Sequence, residues 1–354
     1  MAASKFLFNN LARFVCWGAL VSTTSAAFAA ASGLTVGDAL KKDDAWFQST
    51  EGRQALSNVL SHQSARGDWP KNIRTAAAPS TNSAAAIQGT FDNGATTGEM
   101  RLLARAFAAT HDTNYVTAFL HGFDHITGAQ YTNGGWPQYS PPPAKSYHRH
   151  ITFNDGTMQH LLELMRDVGE KKEFQFIDAV RRRAAATAFE RGLNCVLKCQ
   201  VVVRGEKTVW CAQHDEMTLA PRSGRTYELE SLSGNESAGL LLFLMSIPKP
   251  SQDMIEAVEA GARWFERAKL TGFRETKIDG DKKMFRDADA PPYWARFYEI
   301  ESNRPFYCGR NGIKKYDIAA IEAERRNGYA WHGPWGEAVL KRFAVWKTEH
   351  APKP

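Results

Sequence analysis

Two short stretches, "FDNG" at 91–94 and "FNDG" at 153–156, each stand directly in front of an apolar stripe with helical spacing. Met100, Leu103, Ala104 and Phe107 recur at i, i+3, i+4 and i+7, and Met158, Leu161, Leu162 and Met165 repeat the pattern. Val116, Phe119, Leu120 and Phe123 carry it a third time, so one face of each segment is apolar. Other connections echo one another: "GDWPKN" (67–72), "GGWPQY" (134–139) and "WHGPW" (331–335). Helix pairs whose loop motifs recur at one end predict a ring of helical hairpins with its loops gathered at one mouth. The expected fold class is therefore all-α: an α/α toroid, an incomplete α/α barrel. An irregular helical bundle with incidental loops is the alternative.

Further helical segments are expected near 174–192, 235–247, 252–269, 316–326 and 335–347, and Pro248 stops the second of these. Thr96 with Glu99, and Ser233 with Glu236, have capping-box spacing. The one convincing sheet element is a β-hairpin over 200–210, where "QVVVRGEKTVW" places two β-branched runs around a glycine turn.

Residues 1–29 read as a secretory signal peptide. Lys5 and Arg13 open it without any acid, "FVCWGALVSTTSAAFAA" follows, and Ala27-Phe28-Ala29 has the form of a cleavage site. No later apolar run is long enough to cross a bilayer. The expectation is a secreted or periplasmic protein, with no membrane partner, whose residues 30–354 form a single domain. Its formal charge falls from +6 to +4 when the leader is removed, a mild balance that suits a polyanion or serves solubility alone. Four cysteines remain, at 195, 199, 211 and 308. In an oxidising compartment a disulfide across the base of the hairpin is expected, with Cys199 or Cys195 as the partner of Cys211. Zinc is disfavoured, because His214 completes no recognisable ligand set.

Asp92-Asn93 and Asn154-Asp155 each put one carboxylate and one amide on a loop. If the ring brings the loops together, these hard oxygen donors suit calcium. The competing reading is that each acid caps its helix, which is stronger for "FNDG" than for "FDNG", where Thr96 already has that role. A second constellation is basic: Arg222, Arg225, Arg296, Arg304 and Arg310, set among Tyr227, Tyr293, Trp294, Phe297, Tyr298, Phe306 and Tyr307. Guanidinium forks match carboxylates, and aromatic faces match flat rings, so the cluster predicts a cleft for an acidic sugar. Any single arginine here is as readily a surface ion pair with Glu228, Glu299 or Glu301. His148 and His150 in "KSYHRHITFND" are candidates for catalysis or for orienting neighbours. Trp69, Trp136, Trp331 and Trp335 serve as sugar platforms or as plugs between helix pairs, and the plug is favoured. The chain has no G-x-S-x-G, H-E-x-x-H, P-loop or dinucleotide fingerprint, and no interleaved basic and aromatic pattern for nucleic acid.

Together "GDWPKN", "FDNGATTGEM", "GGWPQY", "HRHITFNDGTM", "WCAQHDEMTLAPRSGRTYELESLSGNES", "ARFYEIESNRPFYCGRNGIKKY" and "RRNGYAWHG" resemble the family 10 polysaccharide lyases, which are pectate lyases. The likeness runs over roughly residues 45 to 347. It implies an α/α toroid with a small β element that cleaves polygalacturonate, or de-esterified pectin, by calcium-assisted β-elimination, here as a monomer. It implies Asp92, Asn93 and Asp155 as calcium ligands, with Asp92 also at the substrate carboxylate. Arg225 matches the arginine that grips a substrate carboxylate, and Arg310 in "CGRNG" matches the catalytic arginine. Arg222, Arg296 and His150 complete the expected substrate-binding set. The family pattern at the catalytic arginine is G-R-D-G, and Asn311 departs from it. A polyuronate-binding protein with weakened turnover, and a glycoside hydrolase using Asp92 and Asp155 as acid and base, are the alternatives.

Overall fold

The computed structural model describes residues 33–350, so the leader expected at 1–29 lies outside the described residues. Eight helices carry the architecture: α1 (Thr50–Ser61), α2 (Thr97–Thr110), α3 (Thr113–Ala129), α4 (Thr157–Glu170), α5 (Ala179–Cys199), α6 (Gly234–Leu244), α7 (Gln252–Arg267) and α8 (Trp335–His350). Each apolar stripe read from the sequence falls on one of them. Met158, Leu161, Leu162, Met165, Met100, Leu103 and Phe119 are fully buried, and Phe123 almost so.

The helices pair as hairpins, α2 with α3, α4 with α5 and α6 with α7. They also pack across the pairs in two rows, α2 on α4 on α6 and α3 on α5 on α7. Three glutamines stitch the second row. Gln63 donates to the carbonyls of Gly67 and Ala118 (both 2.9 Å), and Gln130 to those of Gly134 and Ala188 (2.9 and 2.8 Å). Gln200 donates likewise to Thr208 and Ala257 (both 2.9 Å). Each side chain thus joins its own loop to the next outer helix, so the repeat is structural as well as sequential.

The tryptophan loops follow the same rule. Trp69 and Trp136 are fully buried, and each indole N–H donates to a carbonyl ten residues earlier, Val59 and Ile126 (both 2.8 Å). Both are plugs between helix pairs, whereas the buried Trp331, bonded to the Arg325 carbonyl at 3.0 Å, sits in a separate cluster with Phe297 and Tyr307. Gly67 and Gly134 sit at φ +100° and +95°, and a Cβ on Gly134 would lie 2.1 Å from the Arg191 carbonyl oxygen on α5. Only glycine allows that approach.

Several expectations are corrected. The 316–326 helix is a 3-10 turn at Ile318–Ala320 and a short helix at Ala323–Gly328. The hairpin at 200–210 is present, with Val202–Val203 paired to Glu206–Lys207 and Val201 bonded to Thr208 and Val209, but it is not the one sheet element. The longest strands are instead Phe273–Ile278 and Asp281–Arg286, joined by Asp279-Gly280, both at positive φ. That dipeptide is a two-residue hairpin signal. The flanking strands escape notice because they are charged and largely exposed on both faces. Cys195, Cys199, Cys211 and Cys308 are buried free thiols, so the expected disulfide is absent among the described residues. His214 is fully buried with both ring nitrogens engaged by backbone, at Leu219 (2.8 Å) and Cys211 (3.1 Å). Neither capping box forms as a box. The Thr96 hydroxyl donates to the Thr90 carbonyl at 2.8 Å and accepts from the Trp69 N–H at 2.9 Å, and Ser233 hydrogen-bonds the Glu236 carboxylate.

Candidate active site

Asp92 and Asp155 stand on the turns that precede α2 and α4, Glu236 lies in the first turn of α6, and these acids converge. The short turns Asp92–Gly94 and Asn154–Gly156 pack against each other. A Cβ built on Gly94 would lie 3.7 Å from the His160 imidazole, and one on Gly156 3.0 Å from it, so both turns rest on one ring. The turns are equivalent in shape but not in chemistry. Asn93 and Asp155 occupy the left-handed position at φ +55° and +51°, and Asp92 and Asn154 the buried one before it. Such φ values are strained for non-glycine residues, with asparagine and aspartate the best tolerated. One carboxylate is therefore buried and the other stands half-exposed at the surface of the turn.

Asp92 is 1% exposed. Its Oδ2 receives the Lys71 ammonium and the Gln138 amide, while its buried Oδ1 has no partner. An orphaned buried carboxylate oxygen is costly unless something else fills its coordination. Asp155 accepts from Asn154 at 2.6 Å and faces Arg296 Nη2 at 3.5 Å. Burial, then the neighbouring Glu236 and Asp92, push the Asp155 carboxyl above its ordinary range despite Arg296. Arg296 also grips Glu236 at 2.6 Å. Burial works against its charge, but Glu236 and Asp155 hold it protonated more firmly than a free arginine.

A guanidinium and tyrosine wall adjoins these acids. Arg296 lies 4.7 Å from the Tyr329 ring centroid, and Arg225 lies 5.0 Å from Tyr227 and 5.9 Å from Tyr329. The buried Arg325 lies 4.3 Å from Tyr227 on the same wall. Arg225 is bidentate on Glu228, which raises its proton affinity, and Glu228 also accepts from the Tyr329 hydroxyl at 2.7 Å. His148 hydrogen-bonds Ser146 through Nδ1 at 2.8 Å and packs on Tyr139 and Tyr147, with ring centroids 4.8 and 4.1 Å away. Burial first and Lys71 second lower its proton affinity, and it also lies within electrostatic reach of Asp92 and Arg225. Arg310 stands further out, 63% exposed, bidentate on Glu324 (3.0 and 2.9 Å) and 5.8 Å from Tyr227.

The structure separates the remaining candidates from this cluster. Arg222 pairs with Asp215 at 2.9 Å, and His150 with Glu216 at 3.0 Å. Among the described residues, His150, Asp215 and Glu216 are the one group of three such side chains with ligand atoms within 4.8 Å of one another. Arg222 and Arg149 already occupy their carboxylates. Arg304 stacks on Tyr316 at 3.6 Å. Asn311 accepts from the Ile313 N–H at 3.0 Å, so its departure from the family pattern keeps a local turn bond.

Lys71, Gln138, Glu236 and Tyr329 are site residues that sequence reasoning missed. The signal for the first two was present: Lys71 and Gln138 hold the same place in "GDWPKN" and "GGWPQY", and both reach Asp92.

Residues 63–340 match the family described as pectic acid lyase. Among solved structures, the chain is similar to a family 10 polysaccharide lyase from Cellvibrio cellulosa, with 33% identity and a TM-score of 0.77 over 88% of this chain and 94% of that one. An aspartate-to-alanine mutant of a family 10 polysaccharide lyase from the same organism, in complex with trigalacturonic acid, aligns with a TM-score of 0.76 and 33% identity over 88% and 98% of the two chains. None of the curated proteins matches.

Proposed function

The chain belongs to the pectic acid lyase family and is a polysaccharide lyase, and on that premise we propose that it cleaves polygalacturonate by calcium-assisted β-elimination. The observation that carries this reading is the meeting of the Asp92 and Asp155 turns beside a wall of guanidinium groups and tyrosine rings. A relative's complex with trigalacturonic acid supports the same class of substrate.

The residues fit a divalent cation. Asp92 offers a buried carboxylate oxygen without a partner, Asp155 a half-exposed carboxylate, and Asn93 an amide on an exposed turn. These are hard oxygen donors on loops, with space for water. Calcium held there would withdraw charge from the uronate carboxylate and so acidify the proton on C5.

The chain's own groups do the rest. Arg296, fixed by Glu236, cannot leave its place and serves as a permanent positive charge beside the developing enediolate. Tyr227 and Tyr329 present ring faces along the cleft. A base must take the C5 proton while the C4–O bond breaks and the C4=C5 double bond forms. The resemblance gives that role to Arg310, but Arg225 is better situated, because it shares the face of Tyr329 (5.9 Å) with Arg296 (4.7 Å), the arginine that reaches Asp155. Arg310, 63% exposed, paired with Glu324 and 5.8 Å from Tyr227, suits the rim, where it would grip a further uronate. Arg225 is held protonated by Glu228 in the free enzyme. To act as a base its head must leave Glu228 and give up its own proton to solvent before it takes the one from C5, and alkaline conditions favour that.

In this reading the paired helix rows close as an α/α toroid, the enzyme acts as a monomer, and the leader at 1–29 exports it. Incubation with polygalacturonate tests the reaction class. Elimination gives ultraviolet absorbance from the new conjugated double bond in step with new reducing ends. Reducing ends without absorbance would mean hydrolysis and would overturn it.

A further inference from the structure

Asp92 already has a cation. The Lys71 ammonium sits on Oδ2, where it shares that oxygen with the Gln138 amide. The opposite oxygen is bare. Gln138 occupies the matching place in the next repeat, so a neutral donor satisfies this geometry, and a full charge at 71 has a separate consequence. The other candidate ligand carboxylate is likewise countered, Asp155 by Arg296.

Local charge follows directly. Asp92, Asp155 and Glu236 face Lys71 and Arg296, which leaves the free site with one net negative charge. A divalent ion turns that into one positive charge, and a single uronate carboxylate cancels it. Without Lys71 the divalent ion alone would neutralise the site. The two cations differ in freedom. Arg296 is 8% exposed and bound to two acids, whereas Lys71 is 25% exposed, on a flexible stem. Its ammonium also lies 5.9 Å from the Tyr139 ring centroid, a second surface attractive to a cation.

We propose that Lys71 is a displaceable counter-ion of Asp92 that keeps the calcium affinity of the free enzyme low, so that cation and uronate load together and the lysine passes from Asp92 to the sugar carboxylate. This rests on the calcium reading above. Lys71 is thus a positioning residue that acts through Asp92.

Calorimetric titration of calcium into the intact enzyme, without sugar, tests it. Lys71→Met is expected to bind calcium at least about tenfold more tightly than wild type, the scale on which a neighbouring opposite charge shifts a carboxylate's affinity for a proton. Lys71→Arg, which keeps the charge, is expected to stay near wild type. Galacturonic acid, which has no glycosidic bond to eliminate, should raise calcium affinity more in wild type than in Lys71→Met. Calcium affinity in Lys71→Met equal to or weaker than wild type would overturn the proposal. Asp92→Ala separates the two levels. Loss of calcium binding there keeps the cation reading whatever Lys71 does, and unchanged binding would overturn that reading itself.

Discussion

Arg296 and Glu236 form the most enclosed ion pair of the site, with Nη2 and Oε1 2.6 Å apart and the side chains 8% and 0% exposed. Glu236 has capping-box spacing in the sequence, yet in the fold it turns inward to hold the arginine that reaches Asp155. Removing one member of such a pair strands the other charge in a poorly hydrated place. Arg296→Ala is expected to lower unfolding free energy by about 3–5 kcal/mol in urea titration. Arg310→Ala, on an exposed pair, should leave unfolding free energy close to wild type.

The two candidate bases separate kinetically. Arg225→Lys is expected to lower kcat by about 10²–10⁴-fold, the usual contribution of a positioned acid or base. Arg310→Lys should act chiefly on KM for long polygalacturonate and leave kcat within about tenfold, as expected of uniform binding. Steady-state absorbance assays over a range of chain lengths distinguish the two patterns.

Glu99 gives a stability effect with a definite pH window. Burial pushes its carboxyl from 4.5 up to about 7, against the bond it accepts from the Thr75 hydroxyl. Between those values the native protein holds a proton that the unfolded chain has lost, so stability falls as pH rises through the window and stays lower above it. Glu99→Gln keeps an acceptor for Thr75 and removes the buried charge. Its advantage should be absent below pH 4.5 and reach roughly 2–4 kcal/mol above pH 7, on the free-energy scale of such a shift. Urea denaturation at several pH values checks this.

Two glycines contrast strain with collision. Gly134 has φ +95° and a built Cβ 2.1 Å from the Arg191 carbonyl, whereas Gly205 has φ +83° with nothing within 4 Å. Gly205→Ala is expected to cost about 1 kcal/mol from backbone strain alone. Gly134→Ala must also part the loop from α5, and should cost about 3 kcal/mol or more. Thermal melts of the two variants measure the difference.

Most of the helical scaffold was legible because apolar periodicity is a local property: Met158, Leu161, Leu162 and Met165 declare their face by spacing, and all four are buried. The site was legible in part. Asp92 and Asp155 were recoverable from a repeated loop, but the roles of Glu99 and Glu236 were not, since each has the spacing of a local cap and also holds a distant partner, Thr75 or Arg296. Cysteine parity failed too. An even number in a chain expected to be exported suggests pairing, but Cys195, Cys199, Cys211 and Cys308 are buried free thiols. What the sequence hides in each case is a contact between residues far apart in the chain.

The central claim is that the Asp92 and Asp155 turns share a calcium ion that acidifies the uronate. The most direct measurement is the rate of absorbance increase on polygalacturonate against free calcium, for wild type, Asp92→Ala and Asp155→Ala. The wild-type rate is expected to vanish with chelator and to saturate as calcium is restored, and the rate in both variants to be reduced by at least about 10²-fold at every calcium concentration, the loss expected when an electrostatic stabiliser is removed. A wild-type rate undiminished by chelation, or full activity in either variant, would contradict it.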